Sequence, residues 1–298
     1  MSLRLLILGA AAGGGLPQWN CGCRNCAAAR AGTIPSLTQS SIAVSADGRR
    51  WLVVNASPDI REQIARTPAL HPTGLRESPV SAVLLTNGDV DHVGGLLTLR
   101  EKTPFELCAT AEIHRLLAAD AVFGVLDPGL VVRREVGLDA AFEPLPGLEV
   151  EPFAVPGKVP LWREGETVET RLEGGQTVGV EVRAGGRRAL YVPGCAAMTP
   201  ALAARLRGAP LALFDGTVWR DDEMIAAGAG AKTGARMGHM AMDGPEGSIA
   251  AFEGLEVGRK VFVHMNNTNP VLDPASPERR AVEAAGWTVG ADGMELRP

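Results

Sequence analysis

Short apolar runs alternate with polar turns and with amphipathic segments along the whole chain. The strand candidates are bounded by Gly, Pro, Asp or Asn, which favour turns. The predicted strands span 3–8, 41–45, 51–55, 80–85, 149–154, 177–183, 189–192, 211–214 and 260–264. The predicted helices, rich in Ala, Leu, Glu and Arg, span 59–66, 96–101, 111–119, 200–207, 247–252 and 277–285. This alternation predicts an α/β fold in which helices cover mixed sheets.

Composition favours an enzyme domain over a binding module for nucleic acid or membrane. The chain has 298 residues, of which 46% are hydrophobic, and we predict a single domain over residues 1–298. A formal charge of −5 with 4% aromatic residues gives no basic stripe for nucleic acid. Apolar runs fall short of the roughly 20 residues of a spanning helix, and no secretory core is present, so we expect a cytoplasmic protein. A homo-oligomer is compatible with this composition.

Segment 84–96 joins an apolar strand to an apolar helix through a polar loop that is rich in metal-ligand side chains. It reads Leu-Leu-Thr-Asn-Gly-Asp-Val-Asp-His-Val-Gly-Gly-Leu. The segment resembles the metal motif of metallo-β-lactamases, His-x-His-x-Asp-His, with Asn87 and Asp89 in place of both leading histidines. Asp91 and His92 keep their places. We predict that the metal chemistry is changed rather than lost.

Other positions at which that superfamily carries ligands also differ in this chain. Gly157 and Lys158 stand where a third histidine is expected, and Gly194 stands where a bridging aspartate is expected. We therefore predict that a dinuclear hydrolytic site is absent. The apolar strand 260–264 nevertheless ends in His264, late in the chain, where the superfamily has its final ligand.

The surviving candidate ligands are His92, His264 and the carboxylate of Asp91. Asp89 is a second candidate oxygen ligand. Two histidines and one carboxylate with open positions form the facial triad of non-haem Fe(II) enzymes. An Fe(II) site that reacts with dioxygen is therefore the leading hypothesis. The alternative is that Asn87 and the two aspartates cap the following helix, since Asn and Asp are favoured at N-caps.

Three cysteines lie close together near the start of the chain, at Cys21, Cys23 and Cys26. A tight turn at this spacing lets the three sulfurs converge on one Zn²⁺. We predict a structural zinc site in which Asn267 or His239 is the fourth ligand, and the sequence does not choose between them. A disulfide or reactive thiols are the alternatives.

Several motifs together give nearly the full chain a resemblance to one family. They occupy 5–9, 17–26, 86–92, 214–219, 237–240 and 264–270. The chain resembles the PqqB family of pyrroloquinoline quinone (PQQ) biosynthesis, in the metallo-β-lactamase superfamily. The resemblance implies a four-layer αββα sandwich with a structural zinc and an active-site iron. It also implies iron-dependent ring hydroxylation of the tyrosine in a Glu-Tyr dipeptide cut from a precursor peptide, with dioxygen as partner.

A substrate with several carboxylates needs cationic partners. Lys158, Arg61 and Arg163 are candidates because each lies in or near a predicted loop, and a solvated surface charge is the alternative for each. Asp59 follows a strand end and is a candidate for contacting substrate or for capping the next helix. Asp215 ends another strand, a position consistent with orienting a ligand.

Two further hypotheses belong to other functional classes. One is that the protein carries or exports the finished quinone, an older view of the family that the chain resembles. The other is a zinc-dependent hydrolase of the parent superfamily, which the substituted ligand positions disfavour.

Overall fold

Fourteen strands form two sheets in the computed structural model, which describes residues 2–298. In chain order the strands are β1 (Arg4–Gly9), β2 (Ser41–Ser45), β3 (Trp51–Val54), β4 (Val80–Leu84), β5 (Phe105–Ala109), β6 (Val131–Glu135), β7 (Phe142–Leu145), β8 (Leu148–Ala154), β9 (Val178–Ala184), β10 (Arg187–Val192), β11 (Leu211–Asp215), β12 (Arg259–Val263), β13 (Trp287–Val289) and β14 (Glu295–Leu296). The described helices are α1 (Arg24–Arg30), α2 (Ile60–Arg66), α3 (Val90–Val93), α4 (Ala111–Ala118), α5 (Pro200–Leu206), α6 (Glu223–Ala226), α7 (Gly234–Met237), α8 (Ser248–Ala251) and α9 (Pro277–Ala284).

Each sheet has seven strands, antiparallel at one side and parallel at the other. The first has the order β14-β1-β2-β3-β4-β5-β6 and is parallel from β3 to β6. The second has the order β13-β12-β11-β10-β9-β8-β7 and is parallel from β10 to β13. Central strands such as β3 and β11 are buried at every position, because parallel strands covered on both faces are apolar throughout.

Two apolar clusters show how the layers pack. One cluster joins the facing sides of both sheets and continues to side chains of α5 and α9, such as Leu202 and Val282. The other lies between the outer side of the first sheet and α2 and α4, and includes Ile60 and Ile113. Helices, sheet, sheet and helices therefore form four layers, and the αββα prediction is confirmed. That residues 1–298 form a single domain stays a prediction.

The nine predicted strands are all present, whereas β5, β6, β7, β13 and β14 were not predicted. Edge strand β6 carries Arg133 and Arg134 and lacks the apolar pattern of a buried strand. The helix predicted at 96–101 is wrong, because the chain forms a 3-10 helix over Gly94–Arg100. At Gly95 a Cβ atom would lie 2.1 Å from the carbonyl oxygen of Ser57, so glycine permits this close approach.

The parallel topology brings four strand ends to one edge of the sandwich. Asn55 follows β3, segment 84–96 continues from β4, Asp215 ends β11 and His264 follows β12. Asn55 and His264 have φ angles of 67° and 58°, which are uncommon for residues other than glycine. Polar side chains from both sheets therefore meet at this edge. Every helix among residues 2–298 is too short or too polar to cross a bilayer.

Candidate metal centre

Three predicted ligands converge at this edge of the sandwich. The Nε2 atom of His264 lies 3.1 Å from Oδ2 of Asp91, and Nε2 of His92 lies 3.6 Å from the same oxygen. One ligand atom from each of the three residues lies within 4.8 Å of the others. The three side chains are largely buried, and they line a cavity of about 260 Å³. The arrangement has the size and the donor set of a mononuclear metal site.

The loop before α3 is shaped by its own polar groups. The side chain of Asn87 accepts a hydrogen bond of 2.9 Å from the backbone N–H of Asp89. The carbonyl of Asp89 in turn accepts a bond of 2.8 Å from the N–H of His92, which starts the helix. Asn87 therefore turns the chain at a position where the superfamily motif has a ligand. Asp91 and His92 follow on the first turn of α3 and face the cavity.

A buried threonine holds the ring of His92 from behind. Nδ1 of His92 lies 3.3 Å from the hydroxyl of Thr86, which accepts a bond of 2.9 Å from the side-chain amide of Asn55. The opposite ring nitrogen, Nε2, is buried and has no hydrogen-bond partner among the described residues. A buried polar atom without a partner costs about 1–3 kcal/mol, so this nitrogen is well suited to bind a metal ion.

His264 is held in the same way by a second threonine. Its Nδ1 atom lies 2.9 Å from the hydroxyl of Thr217, which donates a bond of 2.6 Å to the buried carboxylate of Asp215. His239 donates from Nδ1 to the other oxygen of Asp215 at 2.7 Å, and its ring stacks on His264. These contacts fix the tautomer that leaves Nε2 of His264 directed at Asp91. Asp215 therefore acts on His264 through Thr217, which the sequence did not single out.

The charges at the site suit a metal ion. Burial lowers the pKa of His92 to about 4, despite the opposing effect of Asp91, so the imidazole is neutral. Burial also acts to raise the pKa of Asp91, but His92 and His264 outweigh it and keep the pKa well below the usual range. Burial acts to lower the pKa of His264, but the hydrogen bond and charge of Asp91 raise it. Asp91 and His92 are thus in the protonation states in which carboxylates and imidazoles bind metals, whereas a protonated His264 has to release a proton from Nε2 to do so.

Asp89, the second candidate oxygen ligand, does not join the group formed by Asp91, His92 and His264. It lines the cavity, but its Oδ1 atom accepts a bond of 2.9 Å from the backbone N–H of Leu161. Burial and the charge of Asp91 raise its pKa. As N-cap of α3 it makes no side-chain capping bond, so the capping alternative is wrong for this residue.

The three cysteines form a second group of converging donors. Their sulfur atoms lie within 4.8 Å of one another, and no disulfide joins them in the described chain. The side-chain nitrogen of Asn267 lies 3.1, 3.5 and 3.3 Å from the sulfurs of Cys21, Cys23 and Cys26. A half-turn of this amide directs its oxygen at the same point, so three thiolates and one amide oxygen fit a closed zinc site.

His239 as the fourth zinc ligand is wrong, because its ring lies at the other site, between Asp215 and His264. The pKa values of two of these cysteines shift in opposite directions. Burial raises the pKa of Cys26 to about 11. Burial acts in the same direction on Cys21, but hydrogen bonds from Cys23, Cys26 and Asn267 lower its pKa.

The predicted substrate contacts are only partly brought to the cavity. Lys158 lines it, whereas Arg61 is exposed on α2 and Arg163 is exposed beside Trp162. Asp59 accepts bonds of 2.9 and 3.0 Å from the backbone and side chain of Gln39, and it makes no side-chain cap of α2. Arg61, Arg163 and Asp59 therefore do not line this cavity, and a role for them in substrate binding stays a prediction.

The two glycines at the positions of superfamily ligands differ in their surroundings. A Cβ atom at Gly157 would lie 2.6 Å from the hydroxyl of Thr177, so a larger side chain requires Thr177 to move. A Cβ atom at Gly194 would lie 3.4 Å from Cε1 of His239, which is an ordinary van der Waals contact. The absence of a dinuclear hydrolytic site stays a prediction, supported by the crowding at Gly157 alone.

Comparisons with known proteins agree with this geometry. A family model described as a beta-lactamase superfamily domain matches residues 50–265. Coenzyme PQQ synthesis protein B of Methylobacterium nodulans is 61% identical over 298 residues, covering 99% of this chain and 100% of the relative. The chain belongs to the PqqB family. Its role therefore lies in the synthesis of coenzyme PQQ.

Solved structures support the same assignment. The crystal structure of a Zn²⁺-bound PqqB from Methylobacterium extorquens is 57% identical, with a TM-score of 0.98, and covers 99% of this chain and 100% of that chain. A diphosphatase of the PhnP family is 22% identical, with a TM-score of 0.71, and covers 99% of this chain and 97% of that chain. The diphosphatase shares the fold, whereas the likeness to PqqB extends to the sequence.

The threonine behind His264 gives a first prediction for this PqqB-family site. Thr217→Val keeps the shape of the side chain but removes the hydroxyl that holds Nδ1 of His264. We expect the Fe(II) dissociation constant to rise by about 10- to 100-fold, as is common when a partner of a metal ligand is lost. Anaerobic competition with a chromophoric chelator measures it. Thr288→Val, on edge strand β13, is the matched control, and equal affinities in both variants would contradict the assigned role.

The cysteine group gives a second prediction. Cys23→Ser removes one of three thiolates, and we expect the bound zinc to fall by one atom per chain, because a structural site needs its full ligand set. Elemental mass spectrometry of purified protein measures zinc per chain. Cys108→Ala, at a buried cysteine outside the group, should keep the wild-type content. Retention of full zinc content by Cys23→Ser would exclude the thiolate site.

Proposed function

We propose that this protein hydroxylates the tyrosine ring of a Glu-Tyr dipeptide, with Fe(II) and dioxygen, during PQQ synthesis. The observation that carries the proposal is the convergence of Asp91, His92 and His264 on one point beside a cavity. Two histidines and one carboxylate are the ligands of non-haem Fe(II) oxygenases. Membership of the PqqB family supports the pathway, and the ligand set supports the reaction.

Asp91, His92 and His264 would hold the metal ion. The unpartnered Nε2 of His92 and the ionised carboxylate of Asp91 fit a divalent cation. Bound Fe(II) would supply the reaction with dioxygen that the protein's own side chains lack. Each hydroxylation inserts one oxygen atom of O₂ into a ring C–H bond and reduces the other to water, so it needs two electrons from an external reductant.

The remaining side chains would bind and orient the substrate. Leu161 and Met237 give the cavity an apolar part that suits an aromatic ring, and Lys158 offers a cation to a carboxylate. Thr86 and Thr217 would keep the two imidazole rings in place. Both threonines are buried, so solvent does not compete for these hydrogen bonds. The protein would therefore contribute binding, orientation and the exclusion of water.

A zinc-dependent hydrolase is the alternative that one observation favours. The PqqB crystal structure from Methylobacterium extorquens is Zn²⁺-bound. Zinc hydrolases of this superfamily use a second group of ligands, and in this chain Asn87, Gly157 and Gly194 stand at those positions. The zinc in that crystal structure is equally consistent with a structural site formed by cysteine thiolates, which would not indicate hydrolysis. For these reasons we favour the oxygenase.

Mass analysis of the dipeptide tests the proposed reaction. Protein reconstituted anaerobically with Fe(II) is mixed with Glu-Tyr, ascorbate and air, and we expect the mass of the dipeptide to rise by one oxygen atom per hydroxylation. His264→Ala should lose at least about 99% of this product, because the metal loses one of three protein ligands. His71→Ala, at an exposed histidine that does not line the cavity, should retain it. Full turnover by His264→Ala, or dipeptide cleavage with Zn²⁺ and no oxygen, would contradict the proposal.

A further inference from the structure

A loop that we call the strap, residues 157–172, lies against the cavity. Its ends are joined by two backbone hydrogen bonds, of 3.0 and 2.8 Å, between Gly157 and Leu172. In its middle, the N–H of Leu161 donates to Asp89 at 2.9 Å, and the indole N–H of Trp162 donates to the carbonyl of Gly88 at 3.1 Å. The strap is therefore attached to the same loop that carries two of the candidate metal ligands.

One carboxylate of the strap is surrounded by three cations. Oε1 of Glu164 lies 2.9 Å from Nζ of Lys158. Oε2 of Glu164 lies 3.4 Å from Nζ of Lys232 and 3.0 Å from a guanidinium nitrogen of Arg236. The side chains of Glu164 and Lys158 are 8% and 10% exposed, whereas the other two cations are about 40% exposed. The three cations and the one carboxylate together carry a net charge of +2.

Two of the three cations face the cavity of the metal centre, and the third adjoins it in sequence. Lys158 and Lys232 both line that cavity, and Arg236 precedes the lining residue Met237 on α7. A second guanidinium nitrogen of Arg236 is buried and has no hydrogen-bond partner among the described residues. Both Oε1 of Glu164 and this nitrogen of Arg236 therefore keep unused hydrogen-bonding capacity, so the pairing within the cluster is incomplete.

Glu164 is an ionised group under ordinary conditions. Burial alone would raise its pKa, but hydrogen bonds from Arg236 and Lys158 outweigh burial and lower the pKa to about 2. The cluster therefore already binds one carboxylate, which is supplied by the chain itself. The Glu164–Lys158 pair is largely buried, so removing its carboxylate without a replacement is costly, whereas a substrate carboxylate that pairs with the same cations compensates for the loss.

We propose that Lys158, Lys232 and Arg236 form the carboxylate-binding site of the substrate cavity, and that Glu164 occupies it until a substrate carboxylate takes its place. The inference rests on the proposed function to the extent that a Glu-Tyr dipeptide supplies carboxylates of this kind. It adds Lys232 and Arg236 as substrate-binding residues and Glu164 as an internal competitor. The competing explanation is that Glu164 only holds the strap in place and is never displaced. Removal of its charge would then weaken substrate binding instead of strengthening it.

Calorimetric titration of the Fe(II)-loaded protein with Glu-Tyr, without oxygen, separates the two explanations. Glu164→Gln keeps the size of the side chain but removes its charge, and we expect the dissociation constant to fall by about threefold or more, because the competitor for the cations is lost. Lys232→Met should raise the dissociation constant by about tenfold, because a charge-assisted hydrogen bond is lost. The matched controls Glu166→Gln and Lys102→Met change exposed residues and should leave it unchanged.

A dipeptide whose carboxylates are converted to carboxamides is the second probe. Its binding should be weaker, and it should not respond to Glu164→Gln. Equal or weaker binding of Glu-Tyr by Glu164→Gln, or wild-type binding by Lys232→Met, would overturn the inference. This titration contains no oxygen and is therefore independent of the aerobic assay. The expected shifts in the titration, together with no product in the aerobic assay, would reject the proposed reaction and leave the carboxylate site standing. Hydroxylation in the aerobic assay, without the expected shifts of the dissociation constant, would support the reaction and reject the carboxylate site.

Discussion

The metal centre depends on two imidazole rings, each of which is oriented by a threonine hydroxyl in contact with its Nδ1 atom. Thr86 contacts Nδ1 of His92, and Thr217 contacts Nδ1 of His264. Each ring is thereby turned so that Nε2 points towards Asp91. A ligand that is oriented before the metal arrives loses little conformational freedom on binding, which favours affinity and a defined geometry.

The two sheets supply this arrangement from opposite sides of the sandwich. Thr86 and His92 follow β4 of the first sheet, whereas Thr217 and His264 follow β11 and β12 of the second. Asn55 and His264 adopt left-handed backbone conformations at strand ends, with φ angles of 67° and 58°. Strained backbone of this kind persists where surrounding contacts determine it, and it is frequent at functional sites. The core of both sheets therefore sets the distance between the two histidines.

Sequence patterns predicted the candidate metal ligands, and Asp215 as a residue placed to orient one, but not the two threonines that contact the imidazole rings. Asp91 and His92 are adjacent in a motif, and His264 ends an apolar strand, so local signals were sufficient. Thr217 lies 47 positions from His264, and a threonine after a strand has no distinctive pattern of its own. The same holds for Lys232 and Arg236, which meet Glu164 across about 70 positions of chain, at separations of 68 and 72. Short edge strands such as β6 were missed because their exposed faces carry charges rather than apolar residues.

We propose that Fe(II) is held by Asp91, His92 and His264, apart from a zinc ion bound by the cysteine group. Anomalous X-ray scattering from crystals grown anaerobically with Fe(II), recorded on both sides of the iron and zinc absorption edges, tests it most directly. We expect an iron peak bonded to Nε2 of both histidines and to a carboxylate oxygen of Asp91, with a separate zinc peak among Cys21, Cys23 and Cys26. Iron among the cysteines, or a peak bonded to Asp215 and His239 instead of Asp91 and His92, would contradict it.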